Sequence, residues 1–447
     1  MPGEILHVHL GETGVAMASP CWQQLAAQHG VSTADGTLVA AEGGDAATRA
    51  DDAVHRSQVF RETAAGKWVP RAVLVDSDPW MPAVVKRTSC AKLFAPWSIV
   101  AGKRDCQANA ACGMYTFGND FWKASVEDSL RRALEACDTL DTVLLYHSVC
   151  GGTGSGMSRK MYNGGLNALA PKALLTSVAT IPSPQLTTTN LESTNAVLGV
   201  AFSLIQGSHL SFCVQTQAAM EYVKRHPHAA PAGDKPLTNE ALNGIAAAAI
   251  NMQHHAHRTP GAPLARSMFE LRDFLCADGA SHLATPGVRW GTPDRLEALT
   301  AEAADASGRL LAAPEPPKDG AKADEDANDL KPTGGLALSF GGEVDAKQAL
   351  SATSALKAQW PDSPPFGAAA IGGGCTVAVP GTEPGVACVA SAQSLPPTLR
   401  AALRRVRETH ARSWMTRAFA HHFVAEGMEE GELVEAQDVI DQHLKTC

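Results

Sequence analysis

The hexapeptide Gly151-Gly-Thr-Gly-Ser-Gly156 has the composition of an anion cradle. Glycines let successive backbone N–H groups turn inward with no Cβ in the way, and a helix starting just after them adds its positive end. The loop is not a P-loop, because Met157-Ser158 follow Gly156 where a Lys would stand, and it is not the GxGxxG fingerprint. A flexible glycine linker has the same composition, so the setting must decide. Gly11-Glu-Thr-Gly14 and Asp76-Ser-Asp78-Pro79 supply that setting, since each of the three loops follows an apolar run.

The runs are Ile5–Leu10, which alternates with period two, Arg71–Val75 and Thr142–His147. Strand, glycine turn, helix is how an α/β nucleotide fold opens, and continuous apolar strands suit a parallel sheet buried on both faces. Ligands in such sheets sit beyond the carboxyl ends of the strands, where these loops fall. The predicted fold is therefore α/β. A parallel-sheet domain over 1–237 is followed by an apolar core helix over 238–260. A smaller α/β domain over 261–395 carries a Pro-, Gly- and charge-rich flexible insert near 311–335, and a helical layer closes the chain over 396–447. Within that layer one basic amphipathic helix is expected from Leu399 to about Ala425 and another from Leu433 to Leu444.

The 447 residues are too many for one ordinary core, and 45% hydrophobic with 19% charged is a globular composition. A net charge of −9 argues against a dedicated nucleic-acid binder. Eleven cysteines without a CxxC pair fit a reduced cytosol better than a disulfide framework or a zinc site. No signal peptide opens the chain, and no apolar run approaches a bilayer's span, so neither membrane nor nucleic acid is expected as a partner. His254-His-Ala-His257 and His421-His422 lack a carboxylate or Cys placed to complete a metal site.

Gly151–Gly156 resembles the tubulin signature GGGTGSG, which wraps the phosphates of GTP. Val69-Pro-Arg-Ala-Val-Leu-Val-Asp76 resembles the strand VPRAV-x-VD, and Gly113-Met-Tyr-Thr-Phe-Gly118 resembles GHYT-x-G. Arg417-Ala-Phe-Ala-His-His-Phe-Val-Ala-Glu-Gly-Met-Glu-Glu-Gly-Glu432 is similar to the α-tubulin segment RAF-x-HWYVGEGMEEGE. These motifs run in family order, and only about 290–390 is hard to place. The resemblance implies a divergent tubulin that binds GTP or GDP with Mg²⁺.

It also implies a site, residue by residue. Gly11, Glu12 and Thr13 form the first phosphate loop, with Glu12 where the family has Gln. Asp76 and Asp78 match the D-x-[ED]-P pattern whose carboxylates approach the metal, Asp78 being the metal candidate. Oxygen ligands suit Mg²⁺, and a solvated turn before Pro79 would read the same way. Asp105 matches the α-type acid of the next loop. Ala108 falls where the family has Asn, with Asn109 beside it. Ser148 precedes the signature, whose first glycine has become Cys150; a Cβ is tolerable there only at negative φ. Gly151, Gly152, Thr153, Gly154, Ser155 and Gly156 follow. Glu192 resembles the ribose-contacting acid. Thr216 and Asn243 fall at the base-contacting positions, and the guanine-stacking Tyr has no aromatic counterpart in Leu237-Thr-Asn239.

Glu270 aligns with the acid that α-type subunits insert towards a neighbour's nucleotide, making it the candidate water-orienting group in trans. An exposed helix glutamate is the plainer reading. The family further implies other tubulin subunits as longitudinal partners, motor or microtubule-associated proteins on the outer helical layer, and a place in the cytoplasmic cytoskeleton. The departures resemble a minor isotype, for which a basal body or specialised microtubule is a fitting place. A tubulin-fold capping or structural protein with weak or no turnover is the alternative. A metabolic α/β enzyme would need its own acid/base pair, and none stands out.

Overall fold

A computed structural model describes residues 3–39, 53–183, 189–225, 239–255, 257, 267–276, 281–305, 310–311, 335–342, 344–359, 370–371 and 387–446. Nearly all of the Pro-rich insert near 311–335, and the Leu237-Thr part of the stretch expected to face the base, lie outside these residues. Strand β1 (Glu4–Leu10) is buried along its whole length. Its alternation sorts side chains to two faces. Ile5 packs with Cys21, Trp22, Leu144 and Tyr146 on one side. Leu6, Val8 and Leu10 pack with Val126, Leu130, Met157 and Met161 on the other. Both faces of the sheet are thus covered, as the continuous apolar runs require.

The hairpin β2 (Phe60–Glu62) and β3 (Trp68–Pro70) stands apart as a two-stranded sheet. The main sheet continues with β4 (Ala72–Asp76), β5 (Ile99–Ala101), β6 (Leu140–Ser148), β7 (Leu174–Thr180), β8 (Leu210–Val214), β9 (Leu283–Gly291), β10 (Leu336–Gly342), β11 (Ala370–Ile371) and β12 (Ala387–Ser394). Its ten strands lie in the order β11-β10-β12-β9-β8-β7-β6-β1-β4-β5. From β5 to β9 every pairing is parallel. Beyond β9, β12 runs antiparallel between β9 and β10. One sheet therefore crosses from the N-terminal half into the smaller α/β half. The crossing is narrow, with β8 and β9 in register only at Ser211↔Leu283 and Phe212↔Ala284. Past those rungs Leu310 takes over, its carbonyl accepting from the Gln215 amide at 2.8 Å and its amide donating to the Pro286 carbonyl at 2.9 Å.

Helix α1 (Gly11–Gln28) follows β1 directly, α2 (Ala110–Met114) follows the loop after β5, and α3 (Gly152–Lys160) follows β6. Next come α4 (Asn190–Leu198) and α5 (Thr216–Arg225). The core helix α6 (Asn239–Gln253) buries Leu242 and Ile245 through Gln253, and it packs on α1 and on strands β9, β10 and β12. Helix α7 (Met268–Leu275) is followed by α8 (Leu296–Ala304) and α9 (Ala346–Gln359), which cover the smaller half through Leu299, Ala303, Ala349 and Leu356.

The helix expected over Leu399–Ala425 is two helices, α10 (Pro397–Met415) and α11 (Ala420–Ala425). Arg417 and Phe419 between them adopt left-handed backbone, φ 49° and 62°. The break re-aims the chain so that Phe423 is fully buried against Leu399, Leu403 and Leu433. Burial of one phenyl ring, worth about 2 kcal/mol, offsets part of the cost of the two left-handed non-glycine residues, about 1–2 kcal/mol each. The last helix, α12 (Glu430–Thr446), starts three residues before the expected Leu433.

Candidate functional site

Four loops meet beyond the carboxyl ends of β1, β4, β5 and β6 and enclose a cavity of about 670 Å³. The first wall is the start of α1, where Glu12 and Thr13 line the space and Gly11 turns beneath it at φ +70°. A Cβ on Gly11 would stand 3.1 Å from the Gly154 amide, so the first and last loops are packed backbone to backbone. Below them His9 accepts from Trp22 Nε1 at 3.2 Å, and its Nδ1 lies 3.0 Å from the Gly14 carbonyl. Burial pushes its pKa down to about 3, which keeps the ring neutral and fixed. His7, His9 and Cys21 offer ligand atoms within 4.8 Å of one another. Both His9 nitrogens already serve Trp22 and Gly14, and that donor set fits a hydrogen-bond network holding the loop better than it fits an ion.

The second wall comes from Asp76 and Asp78, the third from Asp105, Gln107 and Ala108. Ser77 joins them: its hydroxyl donates to Asp105 Oδ1 at 3.5 Å and accepts from the Cys106 amide at 3.2 Å. Gln107 and Ala108 are both left-handed, φ 47° and 57°. The fourth wall is Ser148, Cys150 and Gly151–Gly154, with Glu192 opposite. Gly151 caps α3 in extended backbone, and the first-turn amides of that nine-residue helix belong to the lining. Amides left unpaired by a helix's first turn are the donors with which helix N-termini bind anions. Cys150 is not among the residues with positive φ, which is the condition its Cβ needed.

The glycines of the signature have two different reasons to be glycine. A Cβ on Gly152 would meet the Asn109 amide at 2.5 Å, and one on Gly156 the Ala110 carbonyl at 2.1 Å, both backbone. A Cβ on Gly151 would meet nothing within 4 Å. Gly152 and Gly156 serve close packing of α3 on the third loop and α2, whereas Gly151 leaves room in the cavity.

Electrostatics set what this cavity can hold. Glu12, Asp76, Asp78, Asp105 and Glu192 line it, and among the described lining residues none is Lys or Arg. Burial, with the neighbouring Asp78 and Asp105 charges adding to it, raises the Asp76 pKa to about 7. A buried carboxylate beside two others is a group short of a cation, and oxygen donors of this kind suit Mg²⁺. The Glu192 carboxylate is engaged in a capping box, accepting from the Thr189 amide at 2.8 Å.

Glu12, Thr13, Asp76, Asp78, Asp105, Ser148, Gly151, Gly152, Thr153, Gly154 and Glu192 are thus gathered round one cavity. Ser155 and Gly156 lie deeper, with the Ser155 hydroxyl donating to the Asn195 carbonyl at 2.9 Å. Thr216 opens α5. Asn243 lines a separate void of about 10 Å³ with Met17, Gln215 and Ala219. Glu270 lies in the first turn of α7, exposed, where its amide donates to the Ser267 hydroxyl at 3.3 Å.

Asn195 was not expected from the sequence. Fully buried, it accepts from the Ala110 amide at 3.0 Å and donates to the Ala108 carbonyl at 2.6 Å and the Cys150 carbonyl at 2.9 Å. Its place one helical turn after Glu192 is the signal that could have found it. Two acids near the C-terminus are held in ion pairs. Glu432 pairs with Arg159 at 2.6 Å, and Glu430 with Arg417 at 3.2 Å.

A mostly parallel sheet with glycine-rich loops and a carboxylate pair round a cavity at its carboxyl edge defines an α/β protein of the nucleotide-fold class. The Tubulin/FtsZ family, GTPase domain, matches residues 4–224 of this chain. Full-length relatives agree. The chain is 26% identical to the tubulin alpha-6 chain of Naegleria pringsheimi, covering 97% of itself and 93% of that protein. It is 27% identical to the tubulin alpha-2 chain of Emericella nidulans (98% and 94% covered) and 28% identical to the tubulin alpha-1B chain of Schizophyllum commune (97% and 94%). The chain belongs to the tubulin family and is a divergent, cytoskeletal member of it.

Proposed function

We propose that the protein binds GTP or GDP in the four-loop cavity with Mg²⁺ held between Asp76 and Asp78, and that it assembles head to tail with tubulin subunits into a filament of the cytoplasmic cytoskeleton. The observation that carries this reading is the placement of Ser148 and Glu270. Ser148 ends β6 at the cavity, and Asp141 sits at the strand's other end, roughly 23 Å away by strand rise. There Asp141 accepts from the Met268 amide at 3.1 Å and so docks the first turn of α7, which carries Glu270. Cavity and exposed acid occupy opposite ends of one subunit. Stacking subunits along that direction brings Glu270 of one over the cavity of the next.

In that arrangement the α3 and α1 amides bind the phosphates, and Glu12 and Asp105 stand beside them. Mg²⁺, when bound, supplies the positive charge that five lining acids and a polyphosphate together lack. Glu270 orients the attacking water at the junction. Thr216 and Asn243, with the small void beside α6, form the base end, and Glu192 reaches the ribose by leaving its cap. The boundaries 1–237, 238–260, 261–395 and 396–447 describe its working parts. Motor or microtubule-associated proteins meet the helices after residue 396, and basal bodies or specialised microtubules are the expected place.

A second reading, a filament-capping or structural tubulin-fold protein with weak or no turnover, is favoured by the all-acid lining and the capped Glu192. Nucleotide released from freshly purified, denatured protein separates the two. About one GTP or GDP per chain, with Glu270→Ala keeping that content and slowing hydrolysis in the polymer, supports the first reading. A folded chain that is empty and ignores added GTP and Mg²⁺ overturns it.

A further inference from the structure

Asn195 lies on α4, one turn after Glu192, and its fully buried side chain is engaged with two walls of the cavity at once. In the third wall its Oδ1 accepts from the Ala110 amide at 3.0 Å and its Nδ2 donates to the Ala108 carbonyl at 2.6 Å. In the fourth wall the same Nδ2 donates to the Cys150 carbonyl at 2.9 Å. Its own carbonyl accepts from Ser155 Oγ at 2.9 Å, which ties α4 to α3.

Both contacts bear on backbone whose direction matters to the cavity. Gln107 and Ala108 are left-handed, φ 47° and 57°, a conformation that neither residue type favours. The hydrogen bonds to the Ala108 carbonyl and the Ala110 amide bracket that turn. In the fourth wall, a trans peptide points its N–H opposite to its C=O. Capture of the Cys150 carbonyl therefore turns the Gly151 amide away from Asn195, and Gly151 lines the cavity.

We propose that Asn195 is the positioning residue of the phosphate-binding walls, acting through Ala108 and Cys150 to hold the third and fourth walls as one unit in the form that receives a nucleotide. The ligand rests on the function proposed above, whereas the clamp belongs to the folded chain with or without nucleotide. Without Asn195, Gln107 and Ala108 fall back to negative φ and the third wall draws off the cavity. Ser77 and Asn109 still restrain the loop, through the Cys106 amide and the His422 carbonyl, so the wall loosens and the domain stays folded. Only the fraction of chains keeping the left-handed turn then binds, and apparent affinity falls by that fraction. For one left-handed alanine released from its restraint the fall is about tenfold.

Two measurements on the full chain separate the clamp from its ligand. The first is hydrogen exchange without nucleotide. In Asn195→Ala the segments 105–110 and 148–152 are both expected to exchange about tenfold faster than in the parent, with β8 unchanged. The second titrates the folded chain with ribose-labelled fluorescent GDP and Mg²⁺. Asn195→Ala should bind it about tenfold more weakly. Adding Ala108→Gly, which removes the Cβ penalty of left-handed backbone and restores no hydrogen bond, should recover much of that loss. A merely structural role in the core would not respond to that glycine. Unchanged exchange in either wall overturns the clamp. Loosened walls with unchanged binding, or no recovery in the double variant, overturn the positioning role. A parent that ignores labelled GDP overturns the nucleotide reading alone, and exchange still decides the clamp. Should Asn195→Ala not fold, Asn195→Asp keeps the volume and the acceptor for the Ala110 amide and gives the same two readouts.

Discussion

The Ser77 and Thr153 hydroxyls lie 2.5 Å apart, latching the loop after β4 to the start of α3. Because Ser77 also serves Asp105 and the Cys106 amide, one small side chain ties three of the four loops together. Ser77→Ala is expected to lower stability by about 1–2 kcal/mol, the cost of a buried hydrogen bond whose partners are left unpaired. Urea unfolding measures it. An unchanged midpoint would mean the loops hold their positions without the latch.

Asp76 makes stability depend on pH in an unusual direction. Its folded pKa, about 7, is above the ordinary 3.8, so the folded state holds a proton that the unfolded state has released. The contribution is fully present below pH 3.8 and is lost as pH rises to about 7, amounting to a few kcal/mol. Asp76→Asn should therefore raise the melting temperature at pH 8 without metal. Mg²⁺ competes with that proton, so metal-dependent stabilisation of the parent should grow as pH passes through 7 and vanish in Asp76→Asn. Melting curves across pH with and without Mg²⁺ test both statements.

The two kinds of signature glycine should respond oppositely to one methyl group. Gly156→Ala drives a Cβ into the Ala110 carbonyl and the Gly113 Cα, 2.1 and 2.8 Å away, and is expected to cost about 3 kcal/mol or more. Gly151→Ala has open space and φ −81°, so its unfolding should shift by about 0.5 kcal/mol at most. Its methyl enters the cavity, and nucleotide content should fall. Thermal melts and released nucleotide, measured on both variants, check the contrast.

Arg159 is the clasp between α3 and α12. Its guanidinium contacts Glu432 at 2.6 Å and the Tyr115 hydroxyl at 3.1 Å and lies 3.9 Å from the Phe202 ring centroid. Glu432→Ala should cost about 2–3 kcal/mol and Glu432→Gln about 1 kcal/mol, because Gln keeps a hydrogen bond and loses only its charge. Unfolding midpoints of the two variants would show that ranking; equal losses would make the charge alone, rather than shape and hydrogen bonding, the source.

Much of this was legible before any coordinates. Period-two and all-apolar runs located β1, β4 and β6, and glycine with strand-end acids located three walls of the cavity. What escaped was whatever depends on residues distant in sequence. Asn195 clamps Ala108 and Cys150, a role its own helix does not advertise. Gln107 and Ala108 carry none of the glycine or asparagine that usually marks left-handed backbone, and Ser77 enforces the turn from another strand. The break at Arg417–Phe419 likewise lies inside a helical pattern and is decided by where Phe423 finds its pocket.

The narrow crossing between β8 and β9 gives the interior of the sheet a soft line. Two rungs and the single residue Leu310 span it, whereas β6 and β7 share seven paired residues. Bending strain applied to the subunit would concentrate there, and α6, packed on β9, β10 and β12 and on α1, would act as the stiffening rod across it. Leu310 and Leu311 stand immediately before the charged Pro-rich insert. Tension on that insert would be delivered to this two-rung row first, a built-in mechanical fuse between the N-terminal half and the smaller half.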